Sequence, residues 1–437
     1  MRKIATAFLI LLVAASAACC QPIEASITRM GNGLTVILQE DHAAELVGID
    51  VWVKAGSRFE TAQNNGVSHI IEHLLFGATQ KRQTGDMDRE MESLGATLDA
   101  HTNFDYAHFS TTVSSRYLLK ALDVFSDAVN DSQFPKADID RERMVIFDEI
   151  TRKLANPTAV CRDVLAKQLY GNHPYSLPIE GTWGSVGKIT RDDVLDYYHR
   201  YYVPSNMAIV LVGDFDKQSV ISEIGRLFQR ASVPAPVEAN TPAIPKVAKH
   251  LTVSIKSAFE SNYLAIGFLG PPAADTEDVC ATDVLLTYLG LGYKSWISDE
   301  LKTRNALVRD GSADFITQHD PGLISIVVAA TNTNLPKAKD AIFAKIAALK
   351  TEGMSQADID RAKRSLLGQV AFQTETVSGR ANTCGFYYAV SDPAFAMKYS
   401  SCIGSVTNDA IKRIARKYLD ADAAAVVTVG PDQEGSK

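Results

Sequence analysis

Two stretches about 200 residues apart close in the same way. Tyr201 to Asp214 reads YYVPSNMAIVLVGD, and Lys417 to Pro431 reads KYLDADAAAVVTVGP. Each follows a helical pattern, passes a polar turn and ends in an apolar, β-branched run stopped by Gly213 or Gly430. A chain built this way is constrained to carry one folding unit twice. Between the copies, Ser232 to Lys246 holds Pro234, Pro236, Pro242 and Pro245, which reads as a linker. The expected partition is residues 24–231, a linker at 232–247, and residues 248–433.

Within the first copy, Leu34 to Leu38 and Leu46 to Lys54 read as strands, and Asn65 to Phe76 shifts to helical spacing. Thr97 to Thr102 and His108 to Val113 alternate like paired strands, and long helical patterns follow at Ala137 to Leu154 and Ala159 to Leu169. The second copy repeats much of that order, with helices at Val279 to Leu289, Leu335 to Lys350, Gln356 to Phe372 and Asn408 to Tyr418. Strands and helices in mixed order give an α+β fold: two homologous domains in tandem, each a mainly antiparallel sheet packed by helices. With 46% hydrophobic and 22% charged residues in 437, both domains can bury a core. A net charge of −7 provides no basic stripe, so nucleic acid is excluded as an expected partner.

Ala5 to Ala18 is apolar, follows Arg2 and Lys3, and ends in small residues. It is too short to span a bilayer, which takes about 20 residues, and reads as an export signal over residues 1–18. Cleavage falls either after Ala17 or before Cys19. The second cut resembles a bacterial lipoprotein signal, with Ser16 where Leu is usual, and would attach the chain to a membrane through a lipidated Cys19. Either way the expected location is the periplasm or cell envelope. Export permits disulfides, but Cys161, Cys280, Cys384 and Cys402 are scattered and read as core thiols; the one bridge considered is Cys384 with Cys402.

His69, Glu72 and His73 carry the chemistry. Four residues apart on a helix, the two imidazoles share one face and can reach one metal ion, with Glu72 close enough to act on a water beside it. A catalytic zinc takes three protein donors and keeps a position open, so a carboxylate must come from elsewhere. The segment Glu142 to Glu149 offers two, seven residues apart on one helix face. The plainer alternative is a pair of ordinary histidines and a solvated acidic face.

GVSHIIEHLLFGATQKR, starting at Gly66, resembles the metal helix of the inverzincin peptidases, the family of pitrilysin, insulysin and the mitochondrial processing peptidase. NGLTVILQED, VWVKAGSRFE, RERMVIFDEI, NHPYSLPIEGTWGSVGKIT and YYVPSNMAIVLVGDFD follow that family's first domain in order. The resemblance spans Ile27 to Pro431 and is weaker in the second half. It implies a zinc endopeptidase holding one Zn²⁺ per chain on His69, His73 and Glu149, with Glu72 as general base and Glu142 steadying a histidine ligand. It also implies that Asp99, Ala100 and His101 lie on the edge strand that pairs with an extended peptide substrate.

In the second half the pattern departs. Single-chain members carry an Arg and, seven residues later, a Tyr that bind substrate; here Lys302 and Arg309 stand in those places. The resemblance therefore implies a metal-bearing subunit that works with a homologous subunit supplying the Arg/Tyr pair, or as a homodimer. Two other readings stand beside it: a family-like scaffold or peptide-binding subunit without catalysis, and a chain whose zinc is structural. The second would need a fourth protein donor.

Overall fold

A run such as Met207–Gly213, apolar at every position, suits a strand covered on both faces, and Ala425–Gly430, apolar but for Thr428, is its counterpart in the second half. The computed structural model describes residues 24–230, 234, 236, 241–245 and 251–431. The expected export signal and Cys19 lie outside the described residues.

The first half contains strands β1 (Ser26–Arg29), β2 (Thr35–Glu40), β3 (Leu46–Val53), β4 (Asp99–Thr102), β5 (Ala107–Ser114) and β6 (Met207–Gly213). Its helices are α1 (Val67–Leu74), α2 (Asp86–Ser93), α3 (Leu118–Asp131), α4 (Lys136–Leu154), α5 (Pro157–Tyr170), α6 (Trp183–Val186), α7 (Arg191–Tyr201) and α8 (Lys217–Leu227). The second half contains β7 (Leu251–Lys256), β8 (Asn262–Leu269), β9 (Asp310–Ile316), β10 (Leu323–Ala330) and β11 (Ala425–Gly430). Its helices are α9 (Thr276–Gly290), α10 (Leu335–Thr351), α11 (Gln356–Gln373), α12 (Val377–Val390), α13 (Tyr399–Ser405) and α14 (Asn408–Tyr418).

The strand orders are β1-β2-β6-β3-β5-β4 and β7-β11-β8-β10-β9. Apart from β1, the second sheet repeats the first. In each, the closing strand runs parallel to the opening strand (β6 to β2, β11 to β7) and every other pair is antiparallel. The fold is α+β with two related domains, as the repeated endings require.

Each sheet buries two faces in different company. Val36, Leu38, Ile49, Val51, Phe109, Ile209 and Leu211 face α1, α3, α4 and α7 of their own half. The alternate residues Ile37, Trp52, Ala208, Val210 and Val212 face the other way and join the core of the second half, against Ala381, Cys384 and Tyr388 of α12. The exchange is reciprocal. Ala265, Val327, Ala425 and Val427 of the second sheet pack on Cys161, Leu165 and Leu169 of α5. Asn156 caps α5, with Pro157 at the first helical position, which fixes where this crossing helix starts.

Five elements escape the sequence reading: β1, α6, α8, α12 and α13. The cysteine expectation is also corrected. The bridge joins Cys280 of α9 to Cys402 of α13, and Cys384 is a free, buried thiol. Cys384 lies on α12, which packs on β3 of the first sheet, whereas Cys402 lies on α13, which packs on α9 and so meets Cys280. Burial pushes the Cys384 thiol up to about 12.

Candidate active site

Gly66, in the left-handed region at φ 99°, turns the chain into α1. A Cβ here would overlap Val186 Cγ2 at 2.8 Å and crowd the Glu180 carbonyl at 3.0 Å. Glu60 then anchors the helix start. Its buried carboxylate accepts hydrogen bonds from Gly66 N (2.8 Å), Ser68 N (2.8 Å), Ser68 Oγ (2.5 Å) and Asn65 Nδ2 (2.9 Å). A carboxylate at this end also complements the helix dipole. Val67, Ile70, Ile71 and Leu74 bury the opposite face of α1, which turns His69 and His73 toward α4.

The side chains converge. His69 Nε2 and His73 Nε2 are 2.9 Å apart, and Glu149 Oε2 lies 3.3 Å from the first and 3.5 Å from the second. Among the described residues these three form the one His/Cys/Asp/Glu group whose donor atoms gather closely enough for a metal ion, and no fourth protein donor joins them. Donors around 2.0–2.2 Å from a tetrahedral ion stand roughly 3.4 Å from one another, so the set fits zinc with one position open. Glu142 lies behind it, with Oε2 3.2 Å from His73 Nδ1. His69 Nδ1 is buried without a protein partner, so only one histidine has a carboxylate behind it. Burial, together with the nearby His73, His101 and Lys153, pushes the His69 pKa down to about 3. The ring is therefore neutral, as a metal ligand must be.

Glu72, on α1 one residue before His73, is half-buried and its charge helps raise the Tyr202 phenol well above its ordinary range, after burial itself. Asp99, Ala100 and His101 are exposed on β4, the outermost strand, which pairs with β5 on one side only. His101 lies beside the metal-site histidines but outside the converging group. Lys302 and Arg309 stay within the second half: Lys302 Nζ is 3.5 Å from Asp310, and Arg309 Nη1 donates to Ser261 Oγ at 3.2 Å.

Comparison with known proteins sets this geometry in a lineage. The profile described as "Insulinase (Peptidase family M16)" matches residues 35–183, and that described as "Peptidase M16 inactive domain" matches 188–366. The chain belongs to peptidase family M16. Within the family it is 27% identical to a probable mitochondrial-processing peptidase subunit beta of Arabidopsis thaliana, over 94% of this chain and 79% of that one. It is 25% identical to the uncharacterized zinc protease YmxG of Bacillus subtilis, over 81% and 85% of the two chains. The M16 fold is also that of a solved Helicobacter pylori protease, with a TM-score of 0.87, 22% identity and coverage of 94% and 100%.

Sequence reasoning missed Glu60 and Lys153. Lys153 follows Glu149 by one helical turn, pairs with Glu180 at 2.7 Å and Asp163 at 3.0 Å, and adds its field at His69. Its position after Glu149 was the available signal. Glu60 offered none, because its partners are set by the turn at Gly66.

Proposed function

We propose that the chain is an exported zinc-dependent endopeptidase acting on peptides or unfolded segments, with His69, His73 and Glu149 holding one Zn²⁺. The observation that supports this most is the convergence of those three side chains, from two helices, on one point. A bound zinc supplies Lewis acidity there. Glu72 takes the proton from the attacking water and delivers it to the leaving amine. Glu142 fixes the His73 ring by accepting from Nδ1, and Asp99, Ala100 and His101 present the strand edge that aligns the substrate main chain.

The partner follows from the second half. Lys302 and Arg309 are engaged with Asp310 and Ser261; Lys302 lacks the fork expected at its position and Arg309 lacks the phenol expected at its own. We assign the chain as the metal-bearing subunit of a pair with a homologous subunit, residues 24–231 as its zinc domain and 248–433 as its metal-free domain. An internally quenched peptide, incubated with chelated protein and then with zinc restored, tests the reading. Cleavage should return with zinc and rise when the homologous subunit is added. A Glu72→Gln chain should keep its zinc and lose turnover; if it still cleaves, the assignment of Glu72 is wrong.

A further inference from the structure

The two edge hairpins, one from each half, meet tip to tip. Asp105 lies in the turn between β4 and β5, and Gln318 to Pro321 form the turn between β9 and β10. His319 N donates to Asp105 Oδ2 at 3.0 Å, and Tyr175 OH donates to Asp105 Oδ1 at 2.5 Å while accepting from Asp320 N at 3.3 Å. Arg58 Nε donates to Asp320 Oδ2 at 2.9 Å, and His173 Nε2 lies 3.4 Å from the same oxygen. Arg58 N also holds the Phe104 carbonyl at 2.8 Å. Arg58, Asp105, His173 and Tyr175 are buried. Burial opposes ionisation of Asp320, yet the hydrogen bonds with His173 and His319 and the Arg58 charge outweigh it and hold its carboxyl well below the usual range.

This network acts on a weak element. β4 has four residues and one strand neighbour, so few ladder hydrogen bonds fix its free edge. Peptide capture by strand addition uses the main-chain groups of that edge, and affinity rises when the edge is ordered beforehand. Its far end enters the turn that the second half grips.

We propose that Asp320, in the half without the metal motif, is a positioning residue for peptide binding: through Arg58, Tyr175 and the Asp105 turn it keeps the pairing edge of β4 in place. The inference rests on the peptidase reading and gives the metal-free half a defined task in it. Two substrates separate the effects: a peptide of about twelve residues that runs along β4, and a tetrapeptide amide that reaches little beyond the metal residues.

Asp320→Asn should raise KM for the long peptide about tenfold, the scale of one lost charged hydrogen bond. It should leave kcat, zinc affinity and the tetrapeptide KM within twofold. In a Glu72→Gln background the same substitution should weaken long-peptide binding, read by fluorescence anisotropy, by a similar factor. Tyr170→Phe removes a hydroxyl that sits 2.9 Å from both the Pro321 carbonyl and Gln318 Oε1. It should shift KM the same way by about threefold, and it carries the test if Asp320→Asn does not fold. Equal changes for both substrates, or an unchanged long-peptide KM in a folded variant, would overturn the proposal. A zinc-loaded parent chain, tested with its homologous subunit, that neither binds nor cleaves any peptide would remove the peptidase reading and this inference with it.

Discussion

Glu142 and Glu149 lie two turns apart on α4 and do different work: Glu149 Oε2 faces both histidines, and Glu142 reaches only the far side of His73. Glu142→Gln should therefore weaken zinc binding about 10–100-fold with the fold intact, measured against a competing chelator. Asp283 offers a separate check away from the site. It accepts a hydrogen bond from Tyr399 OH at 2.7 Å, and burial pushes its carboxyl up to about 7. An unfolded aspartate titrates near 3.9. Between about pH 4 and 7 the folded state thus holds the extra proton, and stability falls as pH rises through that window. Asp283→Asn should flatten that slope in urea midpoints taken at a series of pH values. At this scale the sequence was legible where geometry is local, as in the four-residue spacing that brings His69 and His73 together. Glu60 and Asp320 were not, because their partners meet only in the folded chain.

At the scale of elements, α5 and α12 carry complementary shapes. Leu165 and Gly385 are each the ninth residue of their helix, and each sits over the equivalent strand of the other half's sheet. Leu165 packs on Gly267 of β8, and Gly385 packs on Trp52 of β3. Gly267 and Trp52 oppose Ala425 and Ala208, each five residues before the glycine that closes its strand. The large residue stands on the helix in one case and on the sheet in the other. Exchanging the helices would bring Leu165 onto Trp52 and leave two glycines facing. Gly385→Leu should consequently destabilise by about 3 kcal/mol or more in chemical denaturation, despite leucine's better helix propensity. The same shape explains why α12 was missed: glycines interrupt its pattern, and apolar residues surround it rather than forming one stripe. By contrast, the Ile411, Ile414 and Ala415 stripe made α14 readable to its ends, Asn408 and Tyr418.

For the whole molecule, the exchange makes the domain limits a matter of covalent order more than of independent stability. Residues 24–231 alone would expose Ile37, Trp52 and Val210, which α12 covers, and would leave α5 without the sheet it packs on. Arg380 with Asp41 at 2.6 Å and Arg58 with Asp320 at 2.9 Å add charged links between the halves. Each half expressed alone should be insoluble or molten, and co-expressed halves should associate into a folded complex, judged by size-exclusion chromatography and proteolysis. The duplication itself was visible in the matching VGD and VGP endings. The crossing of α5 and α12 was not, because which sheet a helix covers depends on contacts between residues more than 100 positions apart. The central claim, that His69, His73 and Glu149 hold a catalytic zinc served by Glu72, is tested most directly by zinc-dependent cleavage of a quenched peptide. The parent and Glu72→Gln chains are compared at equal zinc occupancy with the homologous subunit present. The account predicts turnover that chelator abolishes and zinc restores in the parent, with a loss of at least 10²-fold in the variant. Equal rates in both chains, or a parent that never turns over when zinc-loaded and paired, would contradict it.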